Sequence, residues 1–175
     1  MDLRLKPQDV VLALKLVARP PSPWTQVELA KALHISVSEV NHGLKRLAAC
    51  QLFNSRERRV IRSSLLEFLV SGLRYVFPTE LGLVGDGMPT SIGASALSSK
   101  LRLIEGDQIV WRTSASSASA RVRGRVIAPL YKNVPKAAAE DAALHEYLAL
   151  ADALRVGRAR ERAFAKEELS RKLAS

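Results

Sequence analysis

Thr25-Gln26-Val27-Glu28-Leu29-Ala30-Lys31-Ala32-Leu33-His34-Ile35-Ser36-Val37-Ser38-Glu39-Val40-Asn41-His42-Gly43-Leu44-Lys45-Arg46-Leu47 decides how the chain is read. Thr25 with Glu28, and Ser36 with Glu39, form two Ser/Thr-x-x-Glu pairs eleven residues apart. In such a pair the hydroxyl accepts from the third helical N–H and the carboxylate returns to the cap N–H, so each pair opens a helix. A turn of His34-Ile35-Ser36 between two helices leaves one way to bury both apolar faces, which is a steep crossing.

The second helix sorts its residues by face. Val37, Val40, Leu44 and Leu47 recur at helical spacing and are expected to form the buried stripe. Ser38, Asn41, His42 and Lys45 fall on the opposite side. Each carries a donor or acceptor suited to a base edge or a phosphate, Asn to adenine and Lys to guanine or phosphate. The spacing therefore predicts a recognition helix over 37–50 that enters the major groove of double-stranded DNA.

A basic hairpin follows. Leu52-Phe53 is apolar, Asn54-Ser55-Arg56-Glu57-Arg58-Arg59 is polar and basic, and Val60-Ile61 is β-branched, a strand–turn–strand pattern. The segment 54–59 reads as a basic wing whose arginines meet phosphates or the minor groove. The expected DNA-binding residues are Ser36, Ser38, Asn41, His42, Lys45, Arg46, Arg56, Arg58 and Arg59. Residues 7 to about 75 resemble the winged helix-turn-helix regulators of bacteria, the MarR-like and related groups. The likeness is carried by Leu29-Ala30-Lys31-Ala32-Leu33-His34-Ile35-Ser36 and Val40-Asn41-His42-Gly43-Leu44-Lys45-Arg46-Leu47. Where that family usually has a glycine before the wing, this chain has Ala49-Cys50-Gln51.

Charge agrees with a polyanionic partner or an anionic membrane surface. The 175 residues carry 27 Lys and Arg against 17 Asp and Glu, a formal net charge of +10. Of this, +6 lies in residues 1–75, with +2 in 76–130 and +2 in 131–175. The single cysteine, Cys50, has no internal disulfide partner and is expected as a buried core thiol. The first residues lack an apolar signal core and no apolar run reaches membrane-spanning length, so a cytoplasmic, membrane-free protein is expected.

Elsewhere the pattern is mixed. Pro7-Gln8-Asp9 opens a first helix with Val10, Leu14 and Val17 on one face and Leu12 and Leu16 on another. The second face needs a partner, either a twin subunit or the C-terminal helices. Arg19-Pro20-Pro21-Ser22-Pro23 is an extended connector, and Trp24 is expected to staple against Leu29. Residues 63–72 predict a fourth helix capped by Gly72, and Leu73 to Phe77 a short strand. The glycines of 78–99 read as a connector, and Gly85-Asp86-Gly87 lacks the spacing of a phosphate loop. Leu101 to Glu105 alternates, and Ile109–Thr113 with Arg121–Ile127 reads as a hairpin around a low-complexity tip, Ser114 to Ala120. Arg121, Arg123 and Arg125 share one strand face, either solvated or turned to DNA or a partner. A long helix capped near Glu140-Asp141 carries Leu144, Tyr147, Leu148, Ala151 and Leu154 and stops at Gly157; a last helix offers Phe164, Leu169 and Leu173.

The segment from Pro129-Leu130-Tyr131 to Ala153-Leu154-Arg155-Val156-Gly157-Arg158-Ala159-Arg160-Glu161-Arg162 resembles the tails of antitoxin-type regulators. That resemblance implies a toxin as protein partner, often of nucleotidyltransferase type, and autoregulation.

No catalytic constellation is visible. His34, His42 and His145 have no second ligand at metal spacing, no nucleophile elbow occurs, and Glu140-Asp141 and Glu167-Glu168 diverge on helices. Neither an enzyme, nor a cofactor, nor a metal is expected. The sequence predicts an α+β protein: a winged helix-turn-helix over 1–75, an irregular connector and β-hairpin over 76–130, and a C-terminal helical segment over 131–175 for dimerisation or partner binding. The expected function is sequence-specific DNA binding by a homodimeric repressor; the alternative is an antitoxin-like module that neutralises a toxin. RNA binding is disfavoured, because few aromatics are free to stack bases.

Overall fold

Two helices that are apolar almost all round lie at the centre, because a helix buried on every side has no other stable place. The computed structural model describes residues 3–94, 97, 108–113 and 121–174, and over these the protein is a mixed α+β fold. The central pair is α1 (Pro7–Ala18), which buries Val10 to Leu14 and Val17, and α7 (Ala142–Val156), buried at Leu144 and from Tyr147 to Arg155. They pack on each other. Lys15 on α1 pairs with Asp141, the N-cap of α7, at 2.5 Å. On its other side α1 carries α2 (Gln26–Leu33), α3 (Val37–Ala49) and a hairpin of β1 (Phe53–Asn54) and β2 (Arg59–Val60). Around α7 sit α4 (Arg62–Ser71), α5 (Leu73–Val76), α6 (Val134–Glu140), α8 (Ala159–Ala174) and a small sheet. One apolar core runs through all of them.

That sheet differs from the expected hairpin. The strands expected at 109–113 and 121–127 form as β4 (Ile109–Arg112) and β5 (Val122–Ile127), but they pair in parallel. A third strand, β3 (Val84–Thr90), lies in the stretch expected to be a connector and pairs antiparallel with both. The three strands close on one another. Closure this tight needs strands without side chains where backbones meet. A Cβ on Gly87 would collide with the Trp111 carbonyl, so the glycines that hide the strand pattern in the sequence are what allow the strand. Leu101–Glu105 and Ser114–Ala120 lie outside the described residues.

Other expectations divide. The fourth helix and its Gly72 cap form, as does the apolar stripe of α7 up to Gly157. Leu73–Val76 is a helical turn rather than a strand: it starts directly after the Gly72 cap of α4 and buries Leu73. The second face of α1 is covered within the chain: Leu12 is 1% exposed and lies against Gly43 of α3, Leu16 is half-buried against the core, and α7 packs on α1 as well. Trp24 stacks near Phe53, centroids 6.3 Å apart, and carries Arg58 on its face.

A buried polar cluster ties the sheet to α7. Asp152 accepts from Trp111 Nε1 at 2.7 Å, Thr90 Oγ1 at 2.8 Å and Arg155 Nη1 at 2.8 Å. Arg155 also donates to the carbonyls of Phe77 and Ala128. Burial pushes the Asp152 carboxyl above its ordinary range, against Arg155 and the three hydrogen bonds. Those donors are what make a buried carboxyl tolerable there.

Candidate nucleic-acid interface

The unit formed by α2, α3 and β1–β2 is built from local rules first. Thr25 and Glu28 make the full reciprocal cap: Glu28 N donates to Thr25 Oγ1 at 3.2 Å, and Thr25 N donates to Glu28 Oε2 at 2.8 Å. His34 ends α2 in the left-handed region, φ 53°, and its N–H turns back to the Ala30 and Lys31 carbonyls. This turn is held from outside by the 133–140 segment: Asn133 Nδ2 donates to the His34 carbonyl at 2.6 Å, and His34 Nε2 lies 3.1 Å from Glu140 Oε2. Ser36 then caps α3 by accepting from Glu39 N at 3.1 Å.

Only half of the second cap is used, and the reason decides the electrostatics of α3. The Glu39 carboxylate does not serve the Ser36 end; it accepts from Arg46 Nη2 at 2.5 Å and from Gln8 Nε2 at 3.2 Å. Burial works to raise the Glu39 carboxyl, but the bonds from Arg46 and Gln8 outweigh it and hold it below its ordinary value. Arg46 itself donates through Nε and Nη2 to both Asp9 oxygens at 2.7 Å. Hydrogen bonding to Asp9, above all, raises its pKa. The sequence places Arg46 among the expected DNA-binding residues; in the fold it is buried, because two carboxylates and the α1 face take its guanidinium inward. Gly43 makes room for this: a Cβ there would sit 2.9 Å from Asp9 Oδ1 and 3.0 Å from Leu12.

Of the remaining α3 candidates, Ser36, Ser38, His42 and Lys45 are exposed and Asn41 is half-buried, so the helix brings them to its outer side. Val40, Leu44 and Leu47 are buried as expected; Val37, expected in the same stripe, is 43% exposed on the first turn of α3. Glu39 is the one acidic residue in α3, and it is turned inward, so the outer side carries Lys45 with no carboxylate of its own helix.

Past α3 the chain turns without glycine. Gln51 takes the left-handed conformation, φ 58°, in the stretch where the resembled family has glycine. Cys50, expected buried, is the exposed C-cap of α3. In the hairpin, Asn54 Oδ1 accepts from Arg56 N and Glu57 N at 3.0 and 3.1 Å and shapes the tip. Arg56, Arg58 and Arg59 are all exposed. Arg58 lies 4.3 Å over the Trp24 ring and donates to the Trp24 carbonyl at 3.0 Å; Arg59 pairs with Glu57 at 2.5 Å. Between this hairpin and the proline connector runs an open groove of about 1170 Å³, with Arg19, Trp24, Arg58 and Arg59 in its lining.

Sequence reasoning missed Asp9, whose partner is 37 positions away, and the Asp152 cluster. The signal that could have found them is a charge inside an otherwise apolar helical stripe, as Asp152 and Arg155 are in α7. Among the described residues, no group of three or more His, Cys, Asp or Glu is placed to hold a metal ion, and no helix is long and apolar enough to cross a membrane. No family model matches the chain, and neither does any curated protein or solved structure.

Proposed function

We propose that the chain is a sequence-specific binder of double-stranded DNA, a transcriptional regulator of repressor type. The unit of α1, α2, α3 and the β1–β2 hairpin then works as a winged helix-turn-helix, with α3 in the major groove and the hairpin on phosphates or in the minor groove. One observation supports this above the rest: the outer side of α3 keeps Ser36, Ser38, Asn41, His42 and Lys45 while its only carboxylate is drawn inward by Arg46. A helix face freed of negative charge is what a polyanion requires. Arg46 is left out of the DNA-facing set for the same reason. Arg56, Arg58 and Arg59 supply further phosphate-directed charge.

The second face of α1 gives no reason for a homodimer, since Leu12 is buried within the chain, against Gly43 of α3. DNA itself reports the stoichiometry: a two-fold dimer selects inverted repeats with half-sites about 34 Å apart.

Selection from a random duplex library tests the reading. It is expected to converge on a defined sequence. Replacement of Arg56, Arg58 and Arg59 by Ala is expected to flatten the salt dependence by up to about three units, near 0.9 for each phosphate no longer neutralised. A library that stays random after repeated rounds overturns the proposal.

A further inference from the structure

A second surface, where β3, β4 and β5 meet the end of α7, has the opposite character to a nucleic-acid face: it is apolar at its centre and basic at its rim. Within ten positions the chain exposes Tyr75, Val76, Leu81, Leu83 and Val84, with Leu83 at 85% and Tyr75 at 74%. Single exposed apolar residues are ordinary, but a run of large ones beside a formed depression is not. The depression, about 320 Å³, is lined by Leu81, Val84, Ile109 and Val156, with Arg125, Arg158 and Glu161 at its edge. Its walls are fixed. Arg125 Nε donates to the Gly82 carbonyl at 2.7 Å and Nη2 to the Leu81 carbonyl at 3.1 Å, and Val84 stands opposite Arg125 in the β3–β5 register.

The rim is mostly basic. Arg121, just before β5, and Arg123 on it alternate onto the same face as Arg125, are exposed, and make no ion pair among the described residues. Asp86, opposite Arg123 in the register, is the one carboxylate on these strands. We infer that this surface docks an acidic segment of another protein, with one apolar side chain of that segment seated in the depression between Leu81, Val84, Ile109 and Val156. The rim selects the sign of the partner. It also argues against a second copy of this chain, which brings a net charge of +10 to a face that is itself basic. Duplex DNA gives an apolar depression little to hold beyond a thymine methyl group. A cleft of this size, at the lower bound of about 300 Å³ for ligand pockets, suits an anchoring side chain framed by polar contacts. The depression is formed by the sheet, Leu81 and the junction of α7 with α8, and does not depend on the DNA reading.

Phage-displayed random peptides selected on the intact protein provide the probe, and the strongest binder is then synthesised with a fluorescent label. The expected result is enrichment of acidic sequences carrying one large apolar residue. Affinity should fall at least tenfold for Val84→Asp, several-fold for Arg123→Glu, and at least tenfold when the peptide's apolar residue becomes Ala. Leu83→Ser, which removes an exposed side chain, is the second variant and should also weaken binding. Melting curves of each variant matching the parent protein show that the fold is intact. Neutral or basic selected peptides, no enrichment, or affinity indifferent to Val84→Asp and Leu83→Ser overturn the inference. So does a homodimer that Val84→Asp dissociates, or a loss of duplex-DNA salt dependence in Arg123→Glu without any peptide bound.

Discussion

Arg46 donates to both oxygens of Asp9 at 2.7 Å, with side-chain exposures of 3% and 1%, so the helix proposed to read DNA is bolted to α1 by a fully desolvated ion pair. Pairs of this kind add little over a well-packed apolar substitute, but removing one partner leaves a buried charge with nothing to balance it. Arg46→Ala is therefore expected to cost about 3–5 kcal/mol of stability. Denaturant unfolding measures it; a cost within that of an ordinary surface change would place the guanidinium in solvent. The double change Asp9→Leu with Arg46→Met should be much milder than the single one.

Leu12 is expected to behave as a core residue and not as an interface residue. Leu12→Ala should lose about 2–5 kcal/mol of stability and leave the association state unchanged. Calorimetry and sedimentation read the two parts separately. A dimer that dissociates on this substitution, with unchanged melting of the monomer, would show that the chain's own helices do not cover the face.

What is legible in the sequence is what is local. The Thr25 and Glu28 cap spans three positions, and the α7 stripe repeats within one helix, so both are visible without knowing the fold. The β3 strand is hidden because Gly85, Gly87 and Pro89 are poor strand formers on their own, and their value emerges only when Trp111 and Val122 arrive from distant positions. Arg46 reads as a surface residue because Asp9 lies far away in the chain. Val37 reads as buried from periodicity, which reports the spacing of apolar residues and not which of them a neighbouring element reaches.

His145 sets a pH limit on the join between the sheet and α7. Its Nε2 donates to the Pro89 carbonyl at 2.8 Å, and its ring lies 5.6 Å from Trp111. Burial lowers its pKa below the ordinary 6.5, against Pro89 and the nearby Asp152, which favour the charged form. The unfolded ring protonates first as pH falls, so this contribution is full above pH 6.5 and declines below it until the folded ring also takes its proton. His145→Gln is expected to remove that part of the decline. Stability profiles that match between His145→Gln and the parent through this window would show that the ring is not desolvated.

The central claim is that the outer face of α3 reads base sequence, and Asn41 tests it most directly. Affinities of the intact protein and of Asn41→Ala are measured on the duplex enriched from the random library and on a shuffled duplex of the same composition, at one salt concentration. The expected result is a loss of about 1–3 kcal/mol on the enriched duplex with little change on the shuffled one. Equal losses on both, or no loss on either, would contradict base readout by this face.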